Sequence, residues 1–273
     1  MFKKTNFLAL SLIILSVIFL SILFVLFNNY FIKKFNTAEH KEEINKPSLD
    51  NKVQQFEKVK IQTEDGVEIV GILFPNESSK FAGILLHMMP ETKESYIELG
   101  KYLQKLGYTV LAIDFRGHGE SINSVKGKLD YTKFTDEEHQ NYIYDLKAAS
   151  DYLSKKGFVI ENQFLIGASI GANIALQFLS MNPNIKAVVL LSPGENYRGI
   201  KIKDYLNKKL EDKIMVIIGK NDIQSFNSLD EFKNITPSST ILVINTNAHG
   251  TDILKLFPDI ILNIVNFLRE KLI

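Results

Sequence analysis

The stretch QFLIGASIG, residues 163–171, decides the fold. It begins as an apolar run typical of a buried strand and ends in the motif G-x-S-x-G at residues 167–171. Small residues let the chain turn sharply into a helix, so the hydroxyl of Ser169 protrudes while its neighbours pack closely. The helix would direct its N-terminal N–H groups at the same spot. Ser169 is therefore a candidate nucleophile, and the alternative is an ordinary glycine-rich strand–helix turn.

The chain on both sides of this stretch alternates between apolar runs and amphipathic segments. Strands are predicted at Val59–Thr63, Val67–Leu73, Ala82–Leu86, Thr109–Phe115, Gln163–Gly167, Ala187–Ser192, Ile214–Gly219 and Thr240–Asn245. Helices are predicted at Ser95–Leu106, Glu137–Lys155, Gly171–Met181 and Pro258–Lys271. Such alternation predicts an α/β fold with a doubly wound, mostly parallel, eight-stranded sheet. In such sheets, functional residues collect beyond the carboxyl ends of the strands.

Two further candidates follow strands downstream of the motif. Asp222 comes just after the run IIGKN, and His249 comes after the next strand, in the segment NTNAHG. A serine hydroxyl is a weak nucleophile that needs a base, and the base needs an orienting acid. The chain order Ser, Asp, His matches the order known for this motif. As alternatives, Asp222 could cap a following helix and His249 could be a turn histidine.

An acyl-transfer site also needs at least two N–H donors for the negative oxygen of the tetrahedral intermediate. The backbone N–H of Ile170, next to the candidate nucleophile, is the first. The second is expected in the loop after the strand Ala82–Leu86, at Met89, with Met88 as the alternative. Both methionines could instead fill the core.

The other histidines are assigned no chemical step. His118 precedes the candidate nucleophile in the chain, so its loop is interpreted as structural, with Arg116 holding backbone. His40 and His139 are expected to face solvent.

Five ordered segments resemble those of the α/β-hydrolase superfamily, in its lid-poor serine esterase and dienelactone-hydrolase-like branch: LLHMMP, GYTVLAIDFRGHGES, LIGASIG, IIGKND and NAHGTD. The resemblance covers residues 56–273 and implies the α/β-hydrolase fold. Residue by residue, it implies Ser169 as nucleophile, His249 as base, Asp222 as orienting acid, and backbone N–H donors at Met89 and Ile170. The chain departs from the family where His87-Met88 replaces a common His-Gly pair. It also lacks the cysteine nucleophile of dienelactone hydrolases.

Composition excludes several classes of function. The chain has no Cys, which excludes disulfides, Cys-ligated metals and a Cys nucleophile. No metal-ligand spacing or dinucleotide fingerprint is present, so neither a metal nor a cofactor is expected. Of its 32 Lys and Arg residues, four lie in residues 1–34, which leaves 28 basic against 31 acidic residues beyond them. This mildly acidic part is a poor partner for nucleic acid.

The N-terminal segment predicts a membrane anchor. Residues 7–27 form 21 uncharged, mostly apolar residues, enough for a helix across a bilayer core of about 30 Å. The predicted domains are an anchor at 1–34, a polar tether at 35–55 and a hydrolase domain at 56–273. A cleaved signal peptide and a buried helix are the alternatives. We expect a single-pass protein of the cell membrane, with its lipid contact at residues 7–27 and its catalytic domain outside the cytoplasm.

The segment between Pro193 and Ile214 is too short for a substantial lid. It has room for one short helix, so the site is expected to be open and shallow. Its apolar residues are predicted to face the sheet, with contact to a membrane surface as the alternative: Ile200, Ile202, Tyr205, Leu206 and Leu210.

The resulting hypothesis is a membrane-anchored serine hydrolase that cleaves a carboxylic ester of a small acyl substrate. A peptidase, a thioesterase and an acyltransferase share the same three residues and remain alternatives. A binding protein that keeps the fold without turnover is the alternative outside the enzymes.

Overall fold

The structure, a computed structural model, describes residues 56–237 and 240–272. Its strands are β1 (Glu57–Gln62), β2 (Val67–Phe74), β3 (Ala82–Leu86), β4 (Thr109–Ile113), β5 (Asn123–Ser124), β6 (Gly127–Lys128), β7 (Gln163–Ala168), β8 (Ala187–Leu191), β9 (Asn196–Tyr197), β10 (Ile200–Lys201), β11 (Ile214–Gly219) and β12 (Ile241–Ile244). Its helices are α1 (Ile97–Lys105), α2 (Asp136–Gln140), α3 (Tyr142–Lys155), α4 (Ile170–Met181), α5 (Ile223–Phe226), α6 (Leu229–Lys233), α7 (Asp252–Leu256) and α8 (Ile260–Lys271).

Ten of these strands form one sheet in the order β12-β11-β8-β7-β3-β4-β2-β5-β6, with β1 paired to β2. The pairs from β12 through β11, β8, β7 and β3 to β4 are all parallel. The pairs at the other end, from β4 outward and including β1, are antiparallel. The parallel strands therefore deliver their carboxyl ends to one common edge.

Helices cover both faces of the sheet because the central strands are apolar on both sides. In β3, Ile84 and Leu86 belong to one buried cluster, and Leu85 belongs to the other. Helices α3 and α4 contribute to the first cluster, for example through Leu146. Helices α1 and α8 contribute to the second, for example through Leu103. This is the doubly wound arrangement predicted from the sequence.

All eight predicted strands are present, but the prediction of an eight-stranded sheet was incomplete. The sheet also contains β5 and β6, an antiparallel pair at its end. Each has only two residues, which is too short to show the alternation by which a strand is recognised in a sequence.

The predicted helix Glu137–Lys155 is two helices, α2 and α3, which meet at Asn141. Thr135 caps α2 through a reciprocal pair of hydrogen bonds with Glu138. His139 is buried, in contrast to the expectation that it faces solvent, and its ring packs edge-on against Tyr142.

The segment between Pro193 and Ile214, where one short helix was predicted, forms the hairpin β9–β10 and two short 3₁₀ helices, Ile202–Asp204 and Lys208–Lys213. Three of its apolar side chains are fully buried against the sheet: Ile200, Ile202 and Leu210. Burial of these side chains favours the sheet-facing prediction over contact with a membrane surface.

The predicted anchor at 1–34, with its apolar run 7–27, and the tether at 35–55 lie outside the described residues. Within 56–237 and 240–272, no helix is both long and apolar enough to cross a bilayer.

Candidate active site

Ser169 occupies a strained turn between β7 and α4. Its φ of 53° and ψ of −120° lie in a region that residues other than glycine rarely adopt. A Cβ atom at Gly167 would overlap the carbonyl of Gly171, so only a glycine fits before the turn. The N–H of Ser169 donates to the carbonyl of Leu191 at 2.8 Å, which ties the turn to the end of β8. The local geometry is that of the predicted sharp strand–helix turn.

Asp222 and His249 meet at the ends of β11 and β12. The Nδ1 atom of His249 lies 2.7 Å from Oδ2 of Asp222. The Asp222 side chain is buried, whereas that of His249 is 29% exposed. Asp222 is the N-cap residue of α5, but its side chain makes no capping hydrogen bond. Its partner is therefore the imidazole, which disfavours the alternative of a simple cap.

The surroundings of Asp222 keep its carboxyl group ionised. Burial by itself would raise its pKa, but hydrogen bonds from His249, Ser225 and Ser192 outweigh burial and lower the pKa below its ordinary value. A carboxylate in this position holds the Nδ1–H tautomer of the imidazole and leaves Nε2 free to accept a proton.

Close approach at Gly250 joins the loop of His249 to the turn of Ser169. The N–H of Gly250 donates to Oγ of Ser192 at 2.9 Å. A Cβ built on Gly250 would lie 3.4 Å from Cβ of Ala168 and 2.6 Å from Sδ of Met88. The immediate chain neighbours of the candidate nucleophile and the candidate base are thus in contact.

Tyr197, which the sequence analysis did not identify, lies beside Ser169. Among the described residues, the Ser169 hydroxyl forms no hydrogen bond with His249. The Tyr197 hydroxyl lies 3.2 Å from Oγ of Ser225, which lies 3.4 Å from Nδ1 of His249. Active-site hydrogen bonds are often loose without substrate, so this geometry is compatible with a Ser–His pair.

The loop after β3 lies beside the start of α4. A Cβ built on Gly171 would lie 2.5 Å from the carbonyl oxygen of Leu86 and 2.7 Å from that of His87, so the helix packs directly on this loop. Within the described residues, the N–H groups of Met88, Met89 and Ile170 donate to no other group. Ile170 is the first residue of α4, where N–H groups have no partner within the helix. All three predicted donors are therefore available.

His87 braces this loop with both ring nitrogens. Its Nδ1–H donates to the carbonyl of Met88 at 2.9 Å, and its Nε2 accepts from the N–H of Phe115 at 3.0 Å. Burial lowers the pKa of His87 to about 4, so the ring is neutral at pH 7. With both nitrogens occupied, His87 takes no part in proton transfer.

The loop containing His118 is structural, as predicted, but its arginine acts differently. Nε2 of His118 lies 3.0 Å from the hydroxyl of Tyr142 in the buried core. Arg116 was expected to hold backbone, whereas its guanidinium binds carboxylates, with Nε donating to Asp145 at 2.8 Å. Arg116 also pairs with Asp65 of the turn between β1 and β2. The local sequence could not predict these ion pairs, because both carboxylates come from distant parts of the chain.

No three His, Asp or Glu side chains within the described residues are grouped to hold a metal ion. The assembled groups are a hydroxyl on a strained turn, an imidazole hydrogen-bonded to a carboxylate, and available N–H groups beside them. Together these groups can carry out acyl transfer through a covalent serine intermediate. The fold and these groups define the class of α/β hydrolases.

Comparison with known proteins gives the family. The family model described as Hydrolase_4, serine aminopeptidase S33, matches residues 78–221, and the chain belongs to this family. Epoxide hydrolase 3 of Siraitia grosvenorii is 36% identical over 110 residues, which are 40% of this chain and 31% of that protein. The uncharacterized protein RP471 of Rickettsia prowazekii is 34% identical over 96 residues, 35% of this chain and 36% of that protein. The chain thus spans about a third of the length of these curated relatives.

Solved structures agree on the fold. The esterase Pf2001 of Pyrococcus furiosus is 25% identical, with a TM-score of 0.62 over 80% of this chain and 93% of the esterase. Est1E of Butyrivibrio proteoclasticus, solved with ferulic acid, is 18% identical, with a TM-score of 0.62 over 78% of this chain and 98% of Est1E. The second likeness concerns the fold alone.

Proposed function

We propose that the protein is a serine hydrolase that cleaves carboxylic esters, with Ser169, His249 and Asp222 as its catalytic triad. The observation that carries the proposal is the 2.7 Å contact between His249 and the buried Asp222, at the same sheet edge as Ser169 on its strained turn. Holding a carboxylate and an imidazole from separate loops in contact costs free energy, which favours a functional role for the pair.

In the proposed mechanism, Nε2 of His249 takes the proton of the Ser169 hydroxyl as its oxygen attacks the acyl carbonyl. Asp222 holds the imidazole in the required tautomer and stabilises the imidazolium. The imidazolium then gives its proton to the departing alcohol, which leaves an acyl group on Ser169. Water, deprotonated by His249, attacks the acyl carbonyl. The imidazolium then protonates the departing Ser169 oxygen, which releases the carboxylic acid and regenerates the hydroxyl.

The oxyanion of each tetrahedral intermediate is proposed to bind the N–H of Ile170 and the N–H of Met89, with Met88 as the alternative donor. Preorganised N–H groups of this kind stabilise the transition state by about 3–4 kcal/mol per donor in other hydrolases. Support comes from the availability of all three N–H groups and from the direct packing of α4 on this loop.

An ester is favoured as substrate because the esterase Pf2001 shares 25% identity with this chain across 93% of its own length. The description of the matched family favours a second candidate, a peptidase that releases N-terminal residues. Parallel assays with p-nitrophenyl esters and aminoacyl p-nitroanilides separate the two. We expect turnover of the esters, with preference set by acyl chain length.

The test of the nucleophile is Ser169→Ala. We expect kcat to fall by about 10³-fold or more while the fold is kept, because the covalent step is lost. Ser180→Ala, in the same helix and half-buried, is the matched control and should behave as wild type. A fluorophosphonate probe should label wild type and Ser180→Ala but not Ser169→Ala. Wild-type turnover by Ser169→Ala would contradict the triad, and absence of labelling in wild type would favour a binding protein without turnover.

We also propose that residues 7–27 anchor the protein in the cell membrane and that the hydrolase domain lies outside the cytoplasm. The support is the uncharged, apolar sequence of this segment. Protease added to intact cells should degrade the domain. Digestion only after lysis would contradict the exported orientation.

A further inference from the structure

Tyr197 lies beside the candidate nucleophile without belonging to the proposed triad. Its side chain is buried, and its hydroxyl lies 3.2 Å from Oγ of Ser225. The edge of its ring faces the imidazole of His249, with centroids 6.3 Å apart and planes at 87°. A single phenol thus borders both the hydroxyl that attacks and the ring that takes its proton.

The hairpin that carries Tyr197 is fixed to the helix that begins beside Ser169. Arg198 and Gly199 form its tight turn, both with positive φ. Asn173 of α4 donates to the carbonyls of Gly194 and Ile200 at 2.8 and 2.9 Å. Because the Asn173 side chain holds the hairpin to the helix that begins beside the nucleophile, this helix fixes the relative position of the hairpin and the nucleophile.

Gly194 fixes the ring itself. A Cβ atom at Gly194 would overlap the Tyr197 ring, so the backbone lies flat against it. The carbonyl of Ser192 lies 3.5 Å from the phenol oxygen on another side. The ring therefore has little freedom to turn, which is the condition for a residue that positions others.

A continuous chain of contacts links the phenol to the candidate base. The phenol oxygen lies 3.2 Å from Oγ of Ser225, and that Oγ lies 3.4 Å from Nδ1 of His249, which lies 2.7 Å from Asp222. The titratable groups facing His249 in this cluster are Asp222 and Tyr197. Burial raises the pKa of Tyr197, so the phenol stays protonated and keeps its donor role.

We propose that Tyr197 is a positioning residue of the active site, whose hydroxyl aligns the Asp222–His249 pair through Ser225. Its kinetic consequence rests on the proposed function. Removal of its hydroxyl leaves the ring and its packing in place but breaks the chain at Ser225. Removal of the hydroxyl disturbs the alignment of the reacting groups, so we expect kcat to fall and the affinity for substrate to stay unchanged.

The kinetic test is Tyr197→Phe, with Tyr205→Phe as the matched control in the same segment. We expect kcat to fall about tenfold with KM within about twofold, as for one lost positioning hydrogen bond. Ser225→Ala should give a similar loss. The double variant should cost no more than the larger single loss, because both changes break the same chain. Wild-type or increased kcat in Tyr197→Phe, or fully additive losses, would overturn the proposal.

A spectroscopic test works without turnover. In the full-length protein enriched in tyrosine labelled with ¹³C at Cζ, the Tyr197 resonance is assigned by its disappearance in Tyr197→Phe. It should shift in Ser225→Ala, but not in Ser180→Ala. A resonance unmoved by Ser225→Ala overturns the positioning role. This shift in a protein without ester turnover would support the hydrogen-bond chain and reject only the proposed function.

Discussion

Asp222→Asn tests the part of the site on which the direction of proton transfer depends. In wild type, Oδ2 of Asp222 lies 2.7 Å from Nδ1 of His249, and the hydroxyls of Ser225 and Ser192 donate to the same carboxylate. Asparagine offers one acceptor oxygen and one donor NH₂ group. Because the two serines supply donors, we expect the asparagine oxygen to face them and its NH₂ group to face the imidazole. The NH₂ group then fixes the ring proton on Nε2.

An imidazole protonated on Nε2 cannot accept the proton of the Ser169 hydroxyl. In another serine hydrolase, the same exchange of tautomer lowers kcat by about 10⁴-fold, and we expect about 10³- to 10⁴-fold here. This loss equals about 4–5.5 kcal/mol of transition-state stabilisation at about 1.36 kcal/mol per factor of ten. KM should stay within about threefold, because the carboxylate is buried behind the imidazole and does not face substrate.

The assay is steady-state hydrolysis of a p-nitrophenyl ester, with kcat and KM resolved separately and folding checked by urea unfolding. Asp230→Asn is the control, because Asp230 is an exposed acid of α6 paired with Lys233 and should leave kcat unchanged. A folded Asp222→Asn variant whose kcat is within tenfold of wild type would refute the assignment of Asp222 as the orienting acid.

Two further predictions concern the loop after β3. In Gly171→Ala, the added methyl meets the carbonyl oxygens of Leu86 and His87 at 2.5 and 2.7 Å, and backbone cannot yield as a side chain can. We expect a loss of about 1–3 kcal/mol in the free energy of unfolding and a fall in kcat, measured by urea unfolding and ester turnover; wild-type values in both would contradict the close packing. Burial lowers the pKa of His87 to about 4, so below the unfolded value of about 6.5 only the unfolded chain takes up the proton. Stability from this group is therefore present above pH 6.5, and lowering the pH to 5 should cost about 2 kcal/mol through His87. His87→Asn should remove this share alone, because burial also lowers the pKa of His118, to about 3; an equal pH dependence in wild type and His87→Asn would contradict the neutral buried ring.

The sequence predicts the three residues of the proposed triad because each candidate follows an apolar strand. Ser169 comes directly after β7, and Asp222 and His249 come a few residues after β11 and β12, so that a local pattern identifies each of them. The acid and base then meet as expected, at 2.7 Å. No long-range information is needed beyond the rule that parallel strands end at one edge.

The residues that the sequence analysis missed depend on contacts between distant segments. Tyr197 lies in a two-residue strand whose conformation is maintained by Asn173 of α4, and neither residue shows a periodic pattern. The same dependence explains why the hairpin β9–β10 in the segment after Pro193 was not predicted. For Arg116, the partner carboxylates Asp65 and Asp145 lie 51 and 29 residues away.

The strands β3, β7 and β8 end at the same level of the sheet. For this reason the small residues in the loops after the parallel strands matter for the site as much as the three polar side chains do. In the sheet register, Leu86 of β3 faces Gly167 of β7, which in turn faces Leu190 of β8. The loops that follow therefore start at the same height and compete for the same space. Gly171 resolves this competition, since a Cβ there would meet the backbone oxygens of Leu86 and His87 at 2.5 and 2.7 Å, and a Cβ at Gly250 would meet Sδ of Met88 at 2.6 Å. A chain with the same three polar side chains but larger residues at these glycines would keep the sheet and lose the alignment, so the G-x-S-x-G and His-Gly patterns carry functional information through backbone approach.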